Sequence, residues 1–191
     1  NVFPHILQPM VKRNWDVQHV DLLADVLPRA FNTALTGRPG PVHIELPMDV
    51  QAETTDLNLP DPQQRRPAFV KVRPDPDAVD AAAARLLSAK RPVILAGGGC
   101  LEAEASAELR AVAEYLDAAV VVTMMGKGVF PEDHPLAAEH TGSNGTAVGN
   151  HMTREADVIL AVGTRFAEQT SSSYEDGMSF SIPPTELIHF D

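Results

Sequence analysis

The sequence predicts an α/β protein whose main body is a parallel sheet covered by helices on both faces. Three observations carry this. Pro92-Val93-Ile94-Leu95-Ala96, Ala119-Val120-Val121-Val122, Val158-Ile159-Leu160-Ala161-Val162 and Leu187-Ile188-His189-Phe190 are short apolar runs. Their hydrophobicity is continuous rather than alternating, which marks strands buried on both faces. Segments with helical spacing lie before and between them, and the first and third runs end directly in glycine. Strand, glycine turn and helix in alternation is the grammar of a doubly wound sheet.

The elements follow in order. Residues 17–36 carry Val20, Leu23, Leu27, Ala30, Phe31, Ala34 and Leu35 near one helical face. Because Pro28 belongs in a first turn, the regular helix is expected to start near Asp25 as N-cap and to stop at Gly37. Residues 40–47 alternate apolar and polar, as a half-exposed strand does. One helix and one strand cannot close a core, so residues 1–50 are expected either to find partners upstream of Asn1 or to drape over the next domain. Pro60, Pro62, Pro67 and Pro74 crowd into a stretch without periodicity, read as a linker over 51–75. A second domain, 76–191, opens on Asp75 as N-cap with Pro76 at the first helical position. Its first helix carries Val79, Ala83, Leu86 and Leu87. A later one carries Ala105, Leu109, Val112, Ala113 and Leu116.

Composition bounds the function. The chain has 191 residues and a formal net charge of -11 at pH 7. That balance argues against nucleic acid, whose phosphates call for clustered Lys and Arg. No apolar run approaches the roughly 20 residues of a membrane span, and no signal peptide is visible. A single cysteine, Cys100, excludes an internal disulfide and fits a reducing, cytoplasmic setting. It reads as a small buried residue beside the glycine turn. Since residue 1 is Asn, the chain is expected to be a piece of a longer one.

Ligands of open parallel sheets bind at the carboxyl ends of the strands. Three such ends stand out: Gly97-Gly98-Gly99, then Thr123-Met124-Met125-Gly126-Lys127-Gly128, then Gly163-Thr164-Arg165-Phe166. Glycine admits a ligand close to the backbone, and Arg165 would pair with a phosphate. The triplet reads equally as a tight strand-to-helix turn. It is a poor nicotinamide-dinucleotide fingerprint, because Glu102 stands where a small residue is needed and Thr123 where a ribose-binding acid is needed. Gly126-Lys127-Gly128 lacks the spacing of a phosphate-binding P-loop, so Lys127 reads as a solvated or interface lysine. None of the seven histidines pairs at metal-ligand spacing. No Gly-x-Ser-x-Gly elbow occurs. Glu175-Asp176 reads as a solvated loop, and Ser171-Ser172-Ser173 as a loop or cap.

Two stretches taken together are more specific. Residues 36–50, Thr-Gly-Arg-Pro-Gly-Pro-Val-His-Ile-Glu-Leu-Pro-Met-Asp-Val, closely resemble the end of the pyrimidine-binding domain of thiamine-diphosphate-dependent enzymes of the acetolactate synthase type. Residues 92–191 resemble the central domain of the same family. The matching pieces are 92–99, Met125-Gly126-Lys127-Gly128-Val129-Phe130-Pro131, His134-Pro135-Leu136, 142–150, Ala156-Asp157-Val158-Ile159-Leu160 and Gly163-Thr164-Arg165-Phe166.

The resemblance implies a Rossmann-like central domain of the NAD/FAD-binding type, truncated at its C-terminus and preceded by a remnant of the pyrimidine-binding domain. It implies a parent enzyme, a homodimer or homotetramer, that acts on a 2-oxo acid with thiamine diphosphate and Mg2+. The cofactor-activating glutamate would precede residue 1. The diphosphate and metal motif, Gly-Asp-Gly with paired Asn, would follow residue 191, and neither occurs here. No catalytic residue and no metal ligand is therefore expected in this chain, which alone would be inactive. The family also implies FAD in the central domain of acetolactate synthases proper, and ADP or nothing there in relatives; the matching positions are Gly97, Gly98, Gly99, Thr123, Met125, Gly142, Gly145, Gly163 and Arg165. Two departures accompany these matches. Ala167-Glu168-Gln169 stands where Asp-Asp-Arg is usual, and Asn144 stands where His is usual. A stand-alone adenine-nucleotide-binding module is the rival reading, and an NAD-dependent enzyme on the same kind of fold is a third.

Overall fold

The computed structural model describes residues 2–57 and 73–191. The larger part of the expected linker, 58–72, lies outside the described residues. The chain divides into two compact units, Asn1–Val72 and Arg73–Asp191.

The first unit contains α1 (Phe3–Leu7), β1 (Asn14–Asp16), a 3-10 turn (Val20–Leu22), α2 (Leu23–Leu35), β2 (His43–Glu45) and α3 (Met48–Ala52). β1 and β2 form a two-stranded parallel sheet, with Trp15 opposite Ile44. The strand read at 40–47 shrinks to three laddered residues, and β1 has no signal in the sequence beyond Trp15. The helix starts earlier than expected. Asp25 lies in its first turn, paired with Arg29 at 3.3 Å, and Pro28 sits inside it. The preceding 3-10 turn runs directly into α2, so the chain is already helical when it reaches Pro28 and no cap at Asp25 is needed.

Among the described residues of this unit only Val17, Ala30 and Val50 are buried apolar side chains. Phe3, Met48 and Phe31 stand exposed. Three buried polar atoms, Asn14 Oδ1, His43 Nδ1 and Glu45 Oε2, have no hydrogen-bond partner, and all three belong to the two short strands.

The second unit contains α4 (Pro76–Leu87), β3 (Pro92–Ala96), α5 (Gly98–Glu102), α6 (Ser106–Leu116), β4 (Ala119–Val122), β5 (Ala137–His140), α7 (Ala147–Glu155), β6 (Val158–Val162) and β7 (Glu186–Phe190). All five strands are parallel, in the order β5-β4-β3-β6-β7. The expected N-cap is present, with Asp75 Oδ1 accepting from the Asp77 N–H at 2.8 Å. The predicted apolar runs are β3, β4, β6 and β7, and β3 is fully buried from Val93 onward.

Continuous hydrophobicity has its reason in two cores. On one face Ile94, Ala96, Val120, Val122, Val158 and Leu160 pack with Leu86 of α4 and with Leu109 and Ala113 of α6. On the other, Val93, Leu95, Val121, Ile159 and Ala161 pack with Phe180 and with Met152 of α7. The chain moves outward from β3 to β4 to β5, then crosses back to β6 and outward again to β7. The switch point therefore lies between the carboxyl ends of β3 and β6, where open α/β sheets place their ligands. Asp157 holds the opposite end together, accepting from the Lys90 and Arg91 N–H groups at 2.7 and 2.9 Å.

Candidate functional site

The glycine turn after β3 sits at this switch point. The Gly97 N–H donates to the Val162 carbonyl at 2.9 Å and the Gly99 N–H to the Gly163 carbonyl at 3.0 Å. The turn is thus stitched to the end of β6. A Cβ on Gly97 would lie 2.8 Å from Thr164 Cα, and one on Gly99 would lie 2.8 Å from Gly163 Cα. Gly163 itself has φ +59, and its Cβ would come within 2.6 Å of the Cys100 nitrogen. Close backbone packing accounts for these glycines. Gly98 is less tightly packed, since its Cβ would meet the Met125 carbonyl oxygen at 3.1 Å and the Met125 Cβ at 3.3 Å.

The other predicted residues occupy the same edge. Thr123 is buried, and its hydroxyl accepts from the Gly126 N–H at 3.1 Å, capping its own turn. Gly142, at φ +112, is gripped by Asn150, whose amide accepts from the Gly142 N–H at 2.9 Å and donates to its carbonyl at 3.1 Å. Gly145 packs against Thr141 and Gly142, where a Cβ would lie 2.6 Å from the Thr141 carbonyl carbon. Arg165 is exposed and makes no ion pair among the described residues. Its neighbour Phe166, at φ +51, is held edge-on between Phe180 and His189, with ring centroids 5.6 and 5.3 Å away. The Tyr174 hydroxyl donates to the Phe166 carbonyl at 3.0 Å. The loop that presents Arg165 is therefore firmly anchored.

Sequence reasoning did not single out Asn150, Phe180 or His189 for this edge. Asn150 Oδ1 also accepts from Thr141 Oγ1 and from Ser179 Oγ, each at 2.8 Å, and so joins the loop after β5 to the loop after β6. A polar residue in a helix gives no sign of such a role by its spacing. Cys100 is buried as expected, and burial pushes its thiol pKa up. The reading of Lys127 as solvated needs one addition, an ion pair with Glu132 at 2.7 Å.

The edge fits an adenine nucleotide in part. Met124 and Met125 are 52% and 77% exposed on one side of the glycine turn, and Thr164-Arg165 flank the other. Exposed apolar surface with an unpaired guanidinium across from it suits a flat, anionic ligand. The glycines offer no empty cradle, since backbone fills the place of most of the missing Cβ atoms. Among the described residues no group of three or more His, Cys, Asp or Glu side chains could hold a metal ion.

The comparisons agree with this architecture. Residues 79–191 match the family described as thiamine pyrophosphate enzyme, central domain. The chain belongs to this family. A probable acetolactate synthase large subunit of Methanocaldococcus jannaschii is 38% identical over 189 residues, covering 97% of this chain and 31% of the relative. The acetolactate synthase large subunit of Corynebacterium glutamicum is 35% identical over 187 residues, 97% of this chain and 29% of the relative. The large subunit of acetolactate synthase isozyme 1 of Escherichia coli is 33% identical over 186 residues, 96% and 31% respectively. The chain thus spans about three tenths of the length of the curated relatives it matches. Among the described residues no helix is long and apolar enough to cross a membrane.

Proposed function

We propose that this chain is an internal piece of a thiamine-diphosphate-dependent carboligase or decarboxylase of the acetolactate synthase type. Residues 1–50 would be the end of its pyrimidine-binding domain, 51–75 the linker, and 76–191 the central domain. The similarity to acetolactate synthase large subunits over nearly the whole chain carries this reading. Two structural observations support it. The first unit has few buried apolar residues and leaves polar atoms unpartnered in its sheet, as part of a larger domain would. The second has a doubly wound core on both faces of a five-stranded parallel sheet, as a Rossmann-like central domain would.

In this reading the central domain is a scaffold between the two domains that hold thiamine diphosphate and Mg2+. The substrate is a 2-oxo acid, the setting is cytoplasmic, and the parent is a homodimer or homotetramer. Residues 1–191 alone, supplied with thiamine diphosphate, Mg2+ and pyruvate, should release no carbon dioxide above background. Sustained turnover would overturn the scaffold role.

The second part of the proposal places FAD or ADP at the strand ends, with Arg165 on its phosphates and Met125 against its apolar part. Bound FAD would show as yellow colour on purification. ADP or FAD should raise the melting temperature, and Arg165→Ala should remove the shift. A full shift in the variant would exclude this placement. Binding by residues 76–191 in a protein without carboligase activity would favour the stand-alone nucleotide-binding module instead.

A further inference from the structure

Backbone strain gathers in the loop that presents Arg165. Among the described residues seven non-glycine residues have positive φ, and four of them are Phe166, Ser172, Ser173 and Tyr174. The last three are consecutive, at φ +48, +57 and +61. L-residues enter this region singly and at a cost, so three in a row need a cause. Such strain persists only where surrounding contacts hold it, and it clusters at ligand clamps.

The holding contacts come from the loop itself and from α7. Ser179 Oγ gives its proton to Asn150 Oδ1, so Ser172 Oγ is the donor in its 2.5 Å bond with Ser179 Oγ. The Ser173 N–H donates to the Glu168 carbonyl at 2.9 Å. Ser171 and Ser172 are buried, whereas Tyr174 is 70% exposed. The ring of Tyr174 is therefore not there to fill a core. What the turn achieves is to set the Tyr174 hydroxyl on the Phe166 carbonyl, at 3.0 Å.

On the other side of Arg165, His189 Nε2 lies 2.5 Å from the Thr164 carbonyl. A carbonyl only accepts, so Nε2 donates. The two carbonyls that flank Arg165 are thus each held by a side chain from elsewhere, one on β7 and one in the strained turn. The Arg165 side chain itself stays exposed. A fixed backbone beneath a free guanidinium is a preorganised arrangement, because the loop is ordered before a ligand arrives. Resting on the nucleotide placement proposed above, we infer that Tyr174 is a positioning residue of that site. Its hydroxyl, acting through the Phe166 carbonyl, fixes Arg165 where it meets the phosphates.

The test uses the whole chain, unchanged and as Tyr174→Phe, Arg165→Ala and the double variant. Tyr174→Phe removes one hydroxyl from an exposed ring, and an unchanged circular dichroism spectrum would show that the fold is retained. In the protein without ligand, the Arg165 backbone amide should have an NMR order parameter of about 0.85, falling below about 0.6 in Tyr174→Phe. In calorimetry Tyr174→Phe should bind ADP about three- to tenfold more weakly, the loss of one hydrogen bond. Adenosine, which has no phosphate, should bind both proteins equally. In the Arg165→Ala background Tyr174→Phe should make no further difference. Full ADP affinity in Arg165→Ala would remove the nucleotide placement itself. A loss in Arg165→Ala with none in Tyr174→Phe would overturn this inference and leave the placement standing. An unchanged Arg165 order parameter, or equal weakening of adenosine, would overturn it in the same way.

Discussion

At the scale of single residues, Gly163 carries a heavier constraint than its place in a glycine-rich motif conveys. It combines φ +59 with a backbone nitrogen, that of Cys100, 2.6 Å from where a Cβ would sit. Gly128 has φ +91 but nothing within 4 Å. Gly163→Ala should therefore cost the strain of a left-handed alanine plus a displacement of the glycine turn, about 3 kcal/mol or more. Gly128→Ala should cost only the strain, about 1–2 kcal/mol. Urea midpoints at unchanged m-value measure both, and equal losses would refute the packing role of Gly163. Asp157 offers a test by pH. Burial pushes its pKa up, but the N–H groups of Lys90 and Arg91, with those of Asp157 and Val158, outweigh this and hold it below its ordinary value. A depressed carboxylate pKa contributes stability above the unfolded value, and that contribution is lost as pH falls through the folded one. Asp157→Asn should cost about 1–2 kcal/mol at pH 7. The gap to the unchanged protein should close as pH falls below about 4. A constant gap from pH 7 to pH 3 would show that the charge is not what matters.

At the scale of elements, α7 is held less by apolar contact than by a polar knot. Thr153 is fully buried, and its hydroxyl reaches the Ser179 carbonyl at 2.5 Å and the Gly149 carbonyl at 3.1 Å. Thr153→Val keeps the shape and removes the donor to Ser179. It should destabilise by about 1–3 kcal/mol, the cost of an unpaired buried carbonyl. Thr153→Ser should lose less, and thermal melts of the two variants decide the matter. The same helix shows where the sequence stops being readable. β3, β4 and β6 announce themselves because both faces of each are buried, so every position is apolar. The inward side of α7 instead includes Gly149 and Thr153, which carry no hydrophobic signal. β5 has four residues and a bulge, which breaks any period. At the candidate site the positions of the strand ends were readable, and the packing of the glycines was not. A missing Cβ looks the same in a sequence whether a ligand or another backbone fills its place. The supporting contacts of Asn150 and His189 depend on residues 8 and 25 positions away, beyond any local pattern.

At the scale of the whole molecule, the two units differ in how far each can account for its own folding. Apart from Val17, Ala30 and Val50, every buried apolar side chain among the described residues lies between Leu86 and Phe180. Those side chains form two layers, one on each face of a single five-stranded sheet. Such an arrangement removes apolar surface from water on both faces of the sheet, and that burial, at roughly 25 cal/mol per Å², is what opposes chain entropy. The first unit has a two-stranded sheet, too small to be stable alone. It also exposes Phe3, Ile6, Met10, Leu27 and Phe31, surface that folding has not removed from water. A polypeptide of residues 73–191 should therefore unfold cooperatively, with an α/β far-UV circular dichroism spectrum and a single thermal transition. A polypeptide of residues 1–72 should show neither. If 1–72 melts cooperatively as a monomer, its few buried side chains suffice, and its exposed apolar residues need no covering from elsewhere in a parent enzyme. If 73–191 fails to fold, the five-stranded sheet depends on strands outside this chain, and the autonomy assigned to it here is wrong. The open edge at β7, where Leu187 is 39% exposed, is where that dependence would lie.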